Sequence, residues 1–233
     1  MKPIGFEIYS DFRYENLVAR IAKASGSVLK DPIEPGLISE ISLTPVESRV
    51  QTKTDIVLKF KTLNYLANPA DIEIKFPDRI TLPKIDCEVP GADAQDDEKA
   101  CVYLQPLNSI RVYFAATKGR LTGGNVVKID DVFGGRDLPF EKEIVFELQF
   151  RSLKNPFSVR PAGEIIISTF RGGFMVDRGS TAKTYTPTPG LVDGRQIFVS
   201  DAMTNGVSST YRLIFVPESI IPATGLIQIE FPP

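Results

Sequence analysis

The side chains best suited to chemistry in this sequence are carboxylates. Asp93, Asp96, Asp97 and Glu98 stand together in "GADAQDDEKA", and Asp130 and Asp131 follow in "KIDD". Carboxylates from adjacent loops are the natural ligands of Ca²⁺, which takes about six to eight oxygens. The D-x-D-x-D-G spacing of a calcium loop is missing, so a solvated acidic loop is the plainer reading and no metal site is assigned. Cys87 and Cys101 cannot close a zinc site, because the chain contains no His. The same absence removes the commonest general base and every Ser-His-Asp or Cys-His arrangement. "GRLTGGN" and "FGGRD" are Gly-rich but do not match a phosphate-cradling loop, and they read as hairpin turns. No catalytic residue and no cofactor is assigned, and the expectation is a protein that is not an enzyme.

The 233 residues are 42% hydrophobic and 24% charged, enough to bury a core in one large or two small domains. A net charge of −2 gives no basic footprint for nucleic acid. No stretch approaches the roughly 18 consecutive apolar residues of a membrane span. The N-terminus has no signal-peptide pattern, so the chain reads as mature after cleavage, as a fragment or as cytosolic.

The periodicity is that of strands. "TDIVLKFKTL", "DIEIKFP", "SIRVYFAA", "EIVFELQF" and "GEIIISTF" are short apolar or alternating runs bounded by Gly, Pro, Asn and Asp. They predict a core built from Ile56, Leu58, Phe60, Ile72, Ile74, Phe76, Val112, Phe114, Val145, Phe146, Leu148, Ile165 and Ile167. One helix candidate, Arg13 to Ala24, is set aside because its repeat partner reads as strand. Many short strands with frequent turns imply an all-β chain of immunoglobulin-like sandwich type.

The chain also repeats itself at an offset of roughly 155 residues. "KPIGFEIYSDFRYENLVAR" from Lys2 matches "RPAGEIIISTFRGGFMVDR" from Arg160 without a gap, with identities that include Ile8/Ile166, Ser10/Ser168, Phe12/Phe170 and Arg13/Arg171. "EPGLISEI" then meets "TPGLVDGR", "TDIVLKF" meets "STYRLIF", and "IEIKFP" meets "IQIEFP". Residues 1–35 are therefore expected to be the closing strands of a partial repeat and a candidate donor segment. Residues 36–189 are one complete repeat, and residues 190–233 are the opening strands of another, incomplete alone.

The repeat unit resembles the tandem Ig-like β-sandwich repeats of very large surface proteins in ciliates and other protists. The likeness rests on the I-x-I-x-F-P strand end, the two following Cys, and "NP" ahead of Gly163, Ile165, Ile167 and Thr169. It implies an extracellular or cell-surface structural role, in strings of domains or filaments. It also favours a Cys87–Cys101 disulfide, the alternative being two free buried thiols. Closing that loop stabilises by about 3 kcal/mol in the chain-entropy account.

Open strands at one end and closing strands at the other suggest assembly with other copies of the chain. The expected interface pairs Ile4, Phe6, Ile8, Tyr9 and Phe12 of one copy with Tyr211, Leu213, Phe215, Ile227, Ile229 and Phe231 of the next. Such a head-to-tail contact generates an open polymer when it does not close a ring. The competing account of the same pattern is a window from a longer tandem array. A second function class is an adhesin or carbohydrate-binding ectodomain module with glycans as its ligands. No N-glycosylation sequon occurs, and "STAKTYTPTPG" is a linker on which O-linked sugar is conceivable.

Overall fold

The computed structural model describes residues 4–14, 17–28, 34–87, 100–108, 113–136, 143–199, 206, 208, 210–221 and 223–230, with 4–28 and 194–199 described through their backbone alone. It divides into two compact units, Met1–Glu34 and Pro35–Pro233. Every regular element among the described residues is a strand.

The first unit is an antiparallel hairpin of β1 (Ile4–Tyr14) and β2 (Leu17–Val28), closed by the pair Tyr14 and Leu17. Ser10 pairs Ala22 and Asp11 pairs Arg20, so β2 carries one extra residue, Ile21.

The second unit opens with β3 (Gly36–Leu37), β4 (Ser39–Pro45), β5 (Lys53–Lys61), β6 (Ala70–Lys75) and β7 (Ile85–Asp86). It continues through β8 (Ala100–Pro106), β9 (Lys118–Leu121), β10 (Val126–Ile129), β11 (Val145–Lys154), β12 (Ile165–Arg171) and β13 (Phe174–Thr181). These pair in the order β3-β13-β12-β6-β10-β9-β8-β11-β5-β4, with β7 beside β8. Residues 101–103 of β8 pair β9 and residues 104–106 pair β11, so this strand carries the ladder from one half to the other. The two ends of the sheet almost meet. Only Ile38 separates β3, which lies parallel to β13, from β4, which pairs β5, and its N–H donates to the Arg178 carbonyl at 3.1 Å. Gly179 permits that approach, since a Cβ there falls 2.4 Å from the Ile38 carbonyl oxygen.

Alternation decides what each strand buries. On β5, Thr54, Ile56, Leu58 and Phe60 face inward, and on β6 Ala70, Ile72 and Ile74 do. Phe76 follows β6 and meets Phe150 of β11 edge-on, ring centroids 5.0 Å apart, although these strands are not neighbours in the ladder. The sheet therefore folds over a core, in which Phe146 also stacks on Phe60 at 4.9 Å.

Three expectations need correction or fall outside this description. The alternation over 109–116 predicts a strand, yet its described part, 113–116, is not one; the ladder place beside β8 belongs to β9. Phe114 still reaches the core, held by the bond from the Ala115 N–H to the Val132 carbonyl. Val145, expected in the core, is half-buried, because Phe146 and Leu148 take the inward positions of β11. Val112 lies outside the described residues.

Candidate assembly site

After β13 the chain forms a second hairpin, β14 (Val192–Val199) with β15 (Tyr211–Pro217). Its register copies that of β4 and β5 pair for pair. Ser39 opposite Lys61 becomes Asp193 opposite Val216, and Leu43 opposite Leu58 becomes Ile197 opposite Leu213. Pro45 opposite Ile56 becomes Val199 opposite Tyr211. The irregularity between Ser39 and Ser42 returns between Asp193 and Gln196. A side-chain period of two makes such agreement a statement about faces as well as spacing.

What differs is burial. Leu58 and Phe60 are sealed, but their counterparts Leu213 and Phe215 are only half-buried. Ile72 and Ile74 are fully buried, whereas Ile227 and Ile229 are 52% and 48% exposed. Leu191, Val192, Ile220 and Leu226 are open beside them. Phe215, Ile220, Leu226, Ile227 and Ile229 border a groove of about 620 Å³, which Val50 and Phe157 also line. Contiguous exposed apolar surface makes this groove the candidate interaction site among the described residues.

The groove is held in place by a joint with the loop 48–51. The Val50 N–H donates to the Thr188 carbonyl at 3.0 Å and the Thr188 N–H to that of Ser48 at 2.9 Å. Gln51 exchanges two bonds with Ile220, donating through Nε2 to its carbonyl at 2.8 Å and accepting from its N–H at 3.1 Å. Glu218 accepts from the Arg49 guanidinium and from the Leu191 N–H. Two bonds from Arg49, first from its backbone N–H and then from its side chain, hold the Glu47 carboxyl below its ordinary value. The Arg49 guanidinium is raised in turn by its bond to Glu47 and by the charge of Glu218.

Of the residues assigned to assembly from sequence, Phe215, Ile227 and Ile229 come together in the groove. Leu213 lies inside β15 and Tyr211 is exposed at its start, and neither lines the groove. Ile4, Phe6, Ile8, Tyr9 and Phe12 all fall on β1. Phe231 lies outside the described residues. Sequence reasoning missed Arg49, Gln51, Glu218 and Ile220. They carry no motif, and Gln51 and Ile220 are 169 residues apart.

Cys87 and Cys101 form a disulfide, with Cα atoms 5.1 Å apart, next to the short pairing of β7 with β8. Asp93, Asp96, Asp97 and Glu98 lie outside the described residues. Asp130 is engaged in ion pairs with Lys128 and Arg120, and the Asp131 N–H donates to Asp71 at 3.0 Å. Among the described residues no group of three or more acidic, Cys or His side chains could hold a metal, and no helix is long and apolar enough to cross a membrane.

No family model and no curated protein matches the chain. Among solved structures, fragment 2 of the human F-spondin reeler domain is similar over 64% of this chain and 93% of that one, at 11% identity and a TM-score of 0.26.

Proposed function

We propose that the chain is a structural protomer of an extracellular filament or surface coat, built from Ig-like β-sandwich modules like the tandem repeats its unit resembles. Its copies assemble head-to-tail by strand complementation. The observation that carries this reading is the copied register of β14 and β15, beside which Ile227 and Ile229, the counterparts of the sealed Ile72 and Ile74, stand open. An exposed strand edge next to open apolar surface is a template for an incoming strand. The donor is the N-terminal hairpin, whose sequence twin, β12 with β13, covers β6 in the middle module. The disulfide supports an oxidising compartment, and the folded sheet, with Phe76 against Phe150, supports a sandwich.

Sedimentation velocity and electron microscopy of the purified chain test the proposal. The full chain is expected to form concentration-dependent linear assemblies. A chain lacking residues 1–34 is expected to keep the fold of the second unit and remain monomeric. Normal fibres from the shortened chain would overturn the reading.

A further inference from the structure

Whether a donated strand seats productively depends on its register, because a slip of one residue turns every side chain to the other face. On β6, Ile74 stands opposite Ile167 of β12, Glu73 opposite Ser168 and Ile72 opposite Thr169. Residues 225–230 hold the sequence place of β6, with Ile227 and Ile229 where Ile72 and Ile74 stand. The N-terminal hairpin can be matched to β12 and β13 in two ways that differ by one residue. Matching identities puts Ser10 at the place of Ser168 and Phe12 at that of Phe170. Matching turns puts the closing pair Tyr14 and Leu17 at the place of Arg171 and Phe174, which brings Asp11 to the place of Ser168 and Phe12 to that of Thr169. The turn is the firmer anchor. Gly172 and Gly173, at φ +56° and +83°, supply the backbone of a two-residue hairpin turn, and such a turn sets the pairing of both strands.

The two matches bury different groups. Ile165, Ile167 and Thr169 are the fully buried inward positions of β12. Matching identities assigns them to Glu7, Tyr9 and Asp11, which takes two carboxylates out of water. Matching turns assigns them to Ile8, Ser10 and Phe12 and puts Glu7 at the exposed place of Glu164, so that only Asp11, at the place of Ser168 between Glu73 and Arg178, leaves water. Burial of an unpaired carboxylate is strongly unfavourable, whereas burial of Ile and Phe drives association.

We propose, on the assembly reading above, that β1 of a second copy adds antiparallel to residues 225–230 in the register set by its turn. Ser10 then lies opposite Ile229, Asp11 opposite Gln228 and Phe12 opposite Ile227. Phe12 covers the isoleucines that the groove leaves open, and Asp11 meets Gln228 on the opposite face.

Cysteine pairs read this register directly. Chains carrying Asp11→Cys are mixed with chains carrying Gln228→Cys under mild oxidation, and the linked species is mapped without reduction. A parallel mixture uses Ser10→Cys with Gln228→Cys. Mapping also verifies that Cys87–Cys101 remains intact, which reports that the second unit is folded. The expected result is an interchain link for the Asp11 pair, its loss for the Ser10 pair, and its suppression by an excess of synthetic peptide 4–28. A link through Ser10 alone, or through both pairs alike, overturns the register. Assembly on sedimentation with neither pair linked overturns this docking and leaves the assembly reading standing. A chain that stays monomeric throughout overturns both.

Discussion

Asp177 is wholly buried, and its carboxylate accepts from the Asn64 N–H at 3.3 Å, from Asn64 Nδ2 at 2.8 Å and from Thr169 Oγ1 at 3.5 Å. Burial outweighs these bonds and raises its pKa above the ordinary 3.8. The folded state therefore binds its proton more tightly than the unfolded state, and stability falls as pH rises from about 3.8 through the folded value. Asp177→Asn keeps an acceptor for Asn64 without the charge. It is expected to remove that part of the pH slope and to leave stability at neutral pH equal or higher, as urea titrations across pH would show. Asp177→Ala leaves the buried Thr169 hydroxyl without its acceptor, while the exposed Asn64 can turn to water, and is expected to cost about 1 to 2 kcal/mol. Thr169 and Asn155 stood out in the sequence as members of a pattern, but their work was hidden. Asn155, nearly sealed, donates to the carbonyls of Glu47 and Arg49, 108 and 106 residues away, and accepts from the Tyr185 hydroxyl at 2.7 Å. Only the folded chain brings such partners together.

At the scale of elements, legibility followed strand length. β5, β6 and the first part of β11 alternate over about six to nine residues, so their inward faces could be read directly, whereas Ile165, Ile166 and Ile167 of β12 are apolar on both faces. β9 and β10 span four residues each, too few for a period of two to stand out, and the stronger pattern of "SIRVYFAA" drew the assignment instead. The near-closure of the sheet left one trace in the sequence, Gly179, whose meaning depends on Ile38 being opposite it. Since the atom a new Cβ meets is a backbone oxygen at 2.4 Å, no side-chain rotation relieves the contact. Gly179→Ala is expected to push β13 from β3 and β4 and to cost about 2 kcal/mol. Unchanged chemical denaturation by the variant would mean that the seam is soft.

At the scale of the whole molecule, the likeness of 190–217 to 36–61 was legible, because the matched blocks of sequence share one strand register. The joint that fixes the C-terminal hairpin was not legible, since it joins residues of ordinary type across two loops. Its energetics differ from those of a core. The Arg49–Glu218 pair is more than a third exposed on both sides, so solvent screens it, and water can replace the bonds that Gln51 exchanges with Ile220. Gln51→Ala is therefore expected to shift global stability by only about 0.5 to 1.5 kcal/mol. Its effect belongs to placement. Freed from Gln51, Ile220 and the groove behind it should open more often while β5 and β11 remain as they are, which is local rather than global unfolding. Hydrogen exchange measured segment by segment should show faster exchange in 211–221 and no change in 53–61 or 145–154. Faster exchange in all three segments would mean that hairpin and middle module open as one cooperative unit, and that the joint is part of the fold.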